Sequence, residues 1–156
     1  MSKGDKAKEL FLSGKGCAQA VALAFSDEIG LDETLIERQT IGFCGGMGRL
    51  REVCGTVSAM TYVLSNLYGD EGRASVYAMI QEVAGEFRKQ NGSIVCRELL
   101  GLDKNSISAP TPEPRTAEYY RKRPCPELCK MAADILENFL EKKKAKQKAH
   151  NKSYFI

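Results

Sequence analysis

Apolar residues along this chain recur at spacings of three and four, and no segment alternates with the period of two that a half-buried strand requires. The pattern predicts an all-α protein, a compact bundle of about six to seven helices. A short first helix, about Asp5 to Leu12, shows Ala7, Leu10 and Phe11 on one face. The next, about Gly16 to Ile29, is apolar nearly all round through Ala18, Ala20, Val21, Ala22, Leu23, Ala24 and Phe25, which marks a central helix with neighbours on several sides.

Asp32 reads as the cap of a third helix ending near Phe43, with Leu31 placed to pack on Ile36. After a glycine-rich turn, Val53, Val57, Met60, Leu64 and Leu67 form one stripe as far as Tyr68, and Gly69 stops it. Val76, Ile80, Val83 and Phe87 repeat the rhythm in a helix from about Glu71 to Gln90, ended by Asn91-Gly92. Ser93 is expected to cap a short helix through Leu100. From Leu102 to Arg123 there is no period, and Pro110, Pro112 and Pro114 mark a long connection, read as a linker ahead of a functional flap. A last helix opens at Pro124 and buries Leu128, Ala132, Ile135, Leu136 and Phe139.

A length of 156 residues suits a single domain, here expected over residues 1–141, with 142–156 as a basic tail. The net charge of +3 belongs to that tail, because Lys142, Lys143, Lys144, Lys146, Lys148 and Lys152 supply six positive charges and leave a mildly acidic body. No nucleic-acid partner is therefore expected. The N-terminal stretch lacks an export signal and the apolar run from Ala18 to Phe25 is too short to span a bilayer, so we expect a cytoplasmic protein with no membrane insertion. The exposed length of the last helix would permit a homodimer.

Six cysteines in a reducing compartment point to redox chemistry or metal ligation rather than to permanent disulfides. Four of them, Cys17, Cys54, Cys96 and Cys125, fall at expected helix starts. There the free backbone N–H groups favour S⁻ over SH. Cys54 is expected to be the most reactive, since its glycine-rich flank gives access. Cys129, one turn beyond Cys125 on the apolar face, and Cys44, at the end of the third helix, are weaker candidates, either able to serve as a resolving thiol.

His150, in the tail, is the one histidine, which excludes a Cys-His nucleophile pair and mixed Cys/His metal sites in the core. No C-x-x-C occurs, so any site must be assembled by tertiary structure. Three readings stay open: a dithiol–disulfide site with an unknown redox partner, an iron–sulfur or zinc site on the same four cysteines, and a structural or interaction role. The segment Gly42 to Arg49 matches no nucleotide-binding pattern; its glycines let backbone approach the sulfurs, with Arg49 and Arg51 near to stabilise negative charge.

At these residues the chain resembles the redox-active protein family named for its cysteine pattern, C_GCAxxG_C_C. The matching stretches are Gly16-Cys17-Ala18-Gln19-Ala20, Gly42 through Gly55, Cys96 through Gly101, and Arg123-Pro124-Cys125. One departure is Cys54-Gly55-Thr56-Val57-Ser58-Ala59, where Thr56 and Ala59 replace the family's alanine and glycine and add bulk beside Cys54. The resemblance implies a small prokaryotic protein whose characteristic set is Cys17, Cys54, Cys96 and Cys125. A looser similarity to split-Soret cytochromes implies an iron–sulfur centre, though without a C-x-x-C-H haem site.

Overall fold

The computed structural model describes residues 1–154, the side chain of Tyr154 excepted. Its helices are α1 (Lys3–Leu12), α2 (Cys17–Ala24), α3 (Ser26–Ile29), α4 (Glu33–Thr40), α5 (Cys44–Met47), α6 (Gly55–Tyr68), α7 (Arg73–Asn91), α8 (Cys96–Leu99), α9 (Ala117–Lys122) and α10 (Cys125–Tyr154). Among the described residues extended pairing is limited to one isolated bridge, Val53 to Val95. The all-α expectation holds.

The small side chains of α2 explain its central place. Ala18, Ala20, Val21, Ala22 and Ala24 have no exposed surface, so α1, α4, α6 and α10 can all pack against this helix. The helix expected from Gly16 to Ile29 breaks at Phe25, whose φ of −108° and ψ of 20° leave the helical region. Phe25 itself is buried, 1% exposed, and α3 starts in a new direction ending at Gly30 in the left-handed region.

The stripe on α6 is buried at Val57, Met60 and Leu64, although Val53, before the helix, remains 40% exposed. On α7, Val76, Val83 and Phe87 face the core, which α10 closes with Leu128, Cys129, Ala132, Ala133 and Leu136. That last helix is continuous through 154, at ~1.5 Å per residue a rod of about 45 Å, and carries the tail lysines on its final turns. No described helix is long and apolar enough to cross a membrane.

Two local expectations fail. Ser93 does not cap α8, whose N-cap is Val95; its hydroxyl instead accepts the Val95 N–H at 2.9 Å, one residue earlier in the approach. The segment 102–123 is also no free linker. Arg49 Nε donates to the Ala109 carbonyl at 2.7 Å, Arg51 Nε to Ser108 Oγ at 3.0 Å and Arg97 to the Ser106 carbonyl at 2.6 Å. Three arginines thus strap the segment down, and its end forms α9, capped by Thr116.

Candidate functional site

Between the start of α2, the turn after α4, the start of α6 and the start of α10 lies a cavity of about 590 Å³. Cys17, Cys54, Cys96 and Cys125 line it together, each at or beside a helix start as expected, and so does Cys44. Cys129 lies beneath it, with no exposed surface, and its S–H donates to the Cys17 carbonyl at 3.9 Å. All six cysteines are free thiols.

The floor is built by backbone that few sequences can follow. Gly45, Gly46, Met47, Gly48 and Arg49 are all left-handed, with φ of 72°, 69°, 68°, 56° and 66°. Glycine removes the Cβ clash at three of these positions, whereas Met47 and Arg49 each cost about 1–2 kcal/mol. The turn closes through Gly48 N–H to the Gly42 carbonyl at 2.9 Å and Glu52 N–H to the Gly46 carbonyl at 2.9 Å. It throws Cys44, Arg49 and Arg51 onto one side of the molecule. Cys54 and Cys96 are then stitched side by side, since Cys54 N–H donates to the Ile94 carbonyl at 2.8 Å and Cys96 N–H to the Glu52 carbonyl at 2.6 Å.

Glycines let the sulfurs in. A Cβ on Gly16, the N-cap of α2, would overlap the Cys44 sulfur, and one on Gly55, the first residue of α6, would stand 2.5 Å from the Cys17 sulfur. Each sulfur therefore rests on the first turn of a helix other than its own. Gly46 plays the same part for Cys96, whose Cβ lies 2.7 Å from the position a Gly46 Cβ would take.

The electrostatic consequence falls on Cys44. Its thiolate accepts a hydrogen bond from the Cys17 thiol, against the cost of burial, and two more from the Gln19 and Ala18 N–H groups in the first turn of α2, while Arg115 adds positive charge. Together these lower it from an ordinary 9.0 to about 6. Cys17 moves the opposite way, held well above the ordinary range by donating to Cys44, by burial, and by the neighbouring thiols of Cys44, Cys54 and Cys129. Of the two, Cys44 is the thiol favoured to ionise.

At the other helix starts burial wins. It pushes Cys125 up to about 11, reinforced by the charge of Cys54 and opposed by Arg123. Cys54, 6% exposed, is raised by burial even though the Thr56 hydroxyl, 3.1 Å from its sulfur, and the Thr56 and Val57 N–H groups oppose the shift. The access that the glycine-rich flank was expected to give Cys54 is absent, because its side chain is buried. The added bulk at Thr56 becomes a hydrogen bond rather than an obstruction. Cys96 begins only a four-residue helix, too short to gather an appreciable dipole, and its sulfur meets Arg51 at 3.7 Å instead.

The expectation that Cys44 ends the third helix ranked it below the others, but α4 stops at Thr40 and Cys44 is the first residue of α5. The available signal was Gly16: an N-cap without a side chain leaves the first N–H groups of α2 to an outside acceptor. An iron–sulfur centre or zinc ion on these cysteines needs a gathered ligand set, and among the described residues no three or more His, Cys, Asp or Glu side chains are grouped to hold a metal ion. As arranged, the residues do not fit that group.

Residues 16–139 match the family model described as putative redox-active protein (C_GCAxxG_C_C). No curated protein and no solved structure matches the chain. The looser similarity to split-Soret cytochromes finds no support in these comparisons.

Proposed function

Because the chain belongs to the C_GCAxxG_C_C family of redox-active proteins, we propose that it carries out thiol–disulfide exchange, with Cys44 as attacking sulfur and Cys17 as resolving sulfur. Cys54, Cys96 and Cys125 wall the same site. The observation that carries this reading is the seating of the Cys44 sulfur on Gly16 at the start of α2, in the same cavity as Cys17.

The Cys44 thiolate attacks one sulfur of a substrate disulfide, forming a mixed disulfide and releasing the other half as a thiolate that takes a proton from water. Cys17 then loses its proton and attacks the Cys44 sulfur. A Cys17–Cys44 disulfide forms, the bound half leaves as a thiol, and two electrons have passed from the protein dithiol to the substrate. Two thiols of the surrounding pool return the pair to its reduced form by two successive exchanges and leave as their own disulfide, which suits a cytoplasmic setting. Arg115 stabilises the thiolate, and the protonated state of Cys17 keeps the two negative charges from coinciding.

The test is alkylation of the reduced protein by iodoacetamide across pH, with each cysteine followed by mass mapping. Cys44 is expected to label first with a midpoint near 6, and brief oxidation with diamide is expected to yield the linked Cys17–Cys44 peptide. Uniform slow labelling with a midpoint near 9, or anaerobically purified protein carrying stoichiometric iron, sulfide or zinc on these cysteines, overturns the proposal.

A further inference from the structure

The charge of the cavity wall goes beyond what disulfide exchange requires. Four guanidinium groups, Arg49, Arg51, Arg115 and Arg123, line it against a single carboxylate, Glu113. Glu113 is engaged with Arg123. Among the described residues Arg49, Arg51 and Arg115 have no ion-pair partner, although the surface elsewhere pairs lysines with acids freely.

Arg51 is the most telling of the three. It is 4% exposed, and its contacts are the Ser108 hydroxyl and the Cys96 sulfur, neither a carboxylate. Buried charge is ordinarily paired, because desolvating it costs several kcal/mol. Arg115 is fixed with equal care: its nitrogens donate to the Phe11 and Lys15 carbonyls at 3.2 and 3.1 Å, and its guanidinium lies 4.1 Å over the Phe11 ring. Rigid, unpaired guanidinium groups facing a cavity are a recognition surface for carboxylates. The volume, about 590 Å³, lies in the range that takes small molecules.

We propose that the cavity selects a small disulfide bearing carboxylates, which Arg49, Arg51 and Arg115 draw in and orient toward Cys44. This rests on the exchange reading above. In the first step the Cys44 sulfur bonds to one sulfur of the bound disulfide, the sulfur–sulfur bond breaks, and the carboxylate-bearing thiolate leaves into the cavity, where the same arginines offset its charge.

The probes are three symmetrical disulfides of similar size: dithiodipropionate, a dianion; hydroxyethyl disulfide, neutral; and cystamine, a dication. Mixed-disulfide formation on Cys44 is timed by acid quench and mass, each rate divided by that of a free small thiol under the same conditions. At low salt the dianion is expected to exceed the dication by at least tenfold, a preference that shrinks as salt screens it. In Arg49→Gln the ratio of dianion to neutral rate is expected to fall severalfold. Equal corrected rates for the dianion and the dication overturn the selectivity while leaving exchange intact. Silence from all three disulfides overturns exchange at Cys44, and this inference with it.

Discussion

The start of α2 and the start of α10 each place a cysteine at the first helical position, yet they treat sulfur in opposite ways, and Pro126 removes from α10 the N–H group that α2 keeps at Ala18. At α10, Cys125 is itself the first residue, and burial leaves its thiol protonated to about 11. At α2 the favoured sulfur is not Cys17 of the helix but Cys44 from another segment, seated on the bare N-cap Gly16 and lowered to about 6. Being in a first turn differs from being in front of one. Donated N–H groups reach a sulfur that approaches from outside the helix end, whereas a first-turn side chain lies beside those groups and, when buried, loses water without gaining them.

The largest expected effect comes from removing the favoured sulfur. At pH 7 a thiol titrating near 6 is about nine-tenths thiolate, against about one-hundredth for an ordinary one. Cys44→Ser should therefore abolish the fast phase of alkylation and slow total labelling by roughly tenfold or more, lower nucleophilicity offsetting part of the difference. If Cys125 labels as fast as Cys44 in the unsubstituted protein at pH 7, the contrast between the two helix starts is gone.

Cys17→Ala comes next, because it removes the strongest single donor to the Cys44 sulfur. The labelling midpoint of Cys44 should rise by about one unit or more, equivalent to ~1.4 kcal/mol. Cys17→Ser, which restores a donor at the same place, should recover part of that shift. Identical midpoints for the alanine and serine variants would remove Cys17 from the account.

Gly16→Ala sharpens the comparison from the helix side. The new Cβ takes the space of the Cys44 sulfur, so the sulfur must leave the α2 N–H groups; we expect a loss of ~1–3 kcal/mol in chemical denaturation, as for other overpacked sites, and a rise in the Cys44 midpoint. Destabilisation without a change in midpoint would mean that the N–H groups contribute nothing. The smallest effect is expected from Thr56→Ala. It removes a buried hydroxyl bonded to Cys54, costs ~1 kcal/mol, and should leave the rapid labelling of Cys44 untouched.

Much of the bundle was legible before any coordinates. The all-round apolar face of α2, the stripe on α6 and the rhythm of α7 each require burial on a definite side, and their periods can be read locally. The site was half legible. Cys17, Cys54, Cys96 and Cys125 do line one cavity, but the strap at 102–116 was invisible, because two of the three arginines that hold it, Arg49 and Arg51, are 60 and 57 residues away in sequence and it has no periodic pattern of its own.

What the sequence by itself determined was therefore the longer helices, the faces that α2, α6 and α7 bury, and the glycine-rich turn at 42–49 where backbone must approach closely. What only the tertiary structure decided was which sulfur arrives at which helix end, and hence where the proton rests. Helical periodicity is a property of neighbours three and four residues apart. The charge state of a thiol is set instead by every dipole, guanidinium and lost water around it, and for Cys44 most of those come from elements distant along the chain.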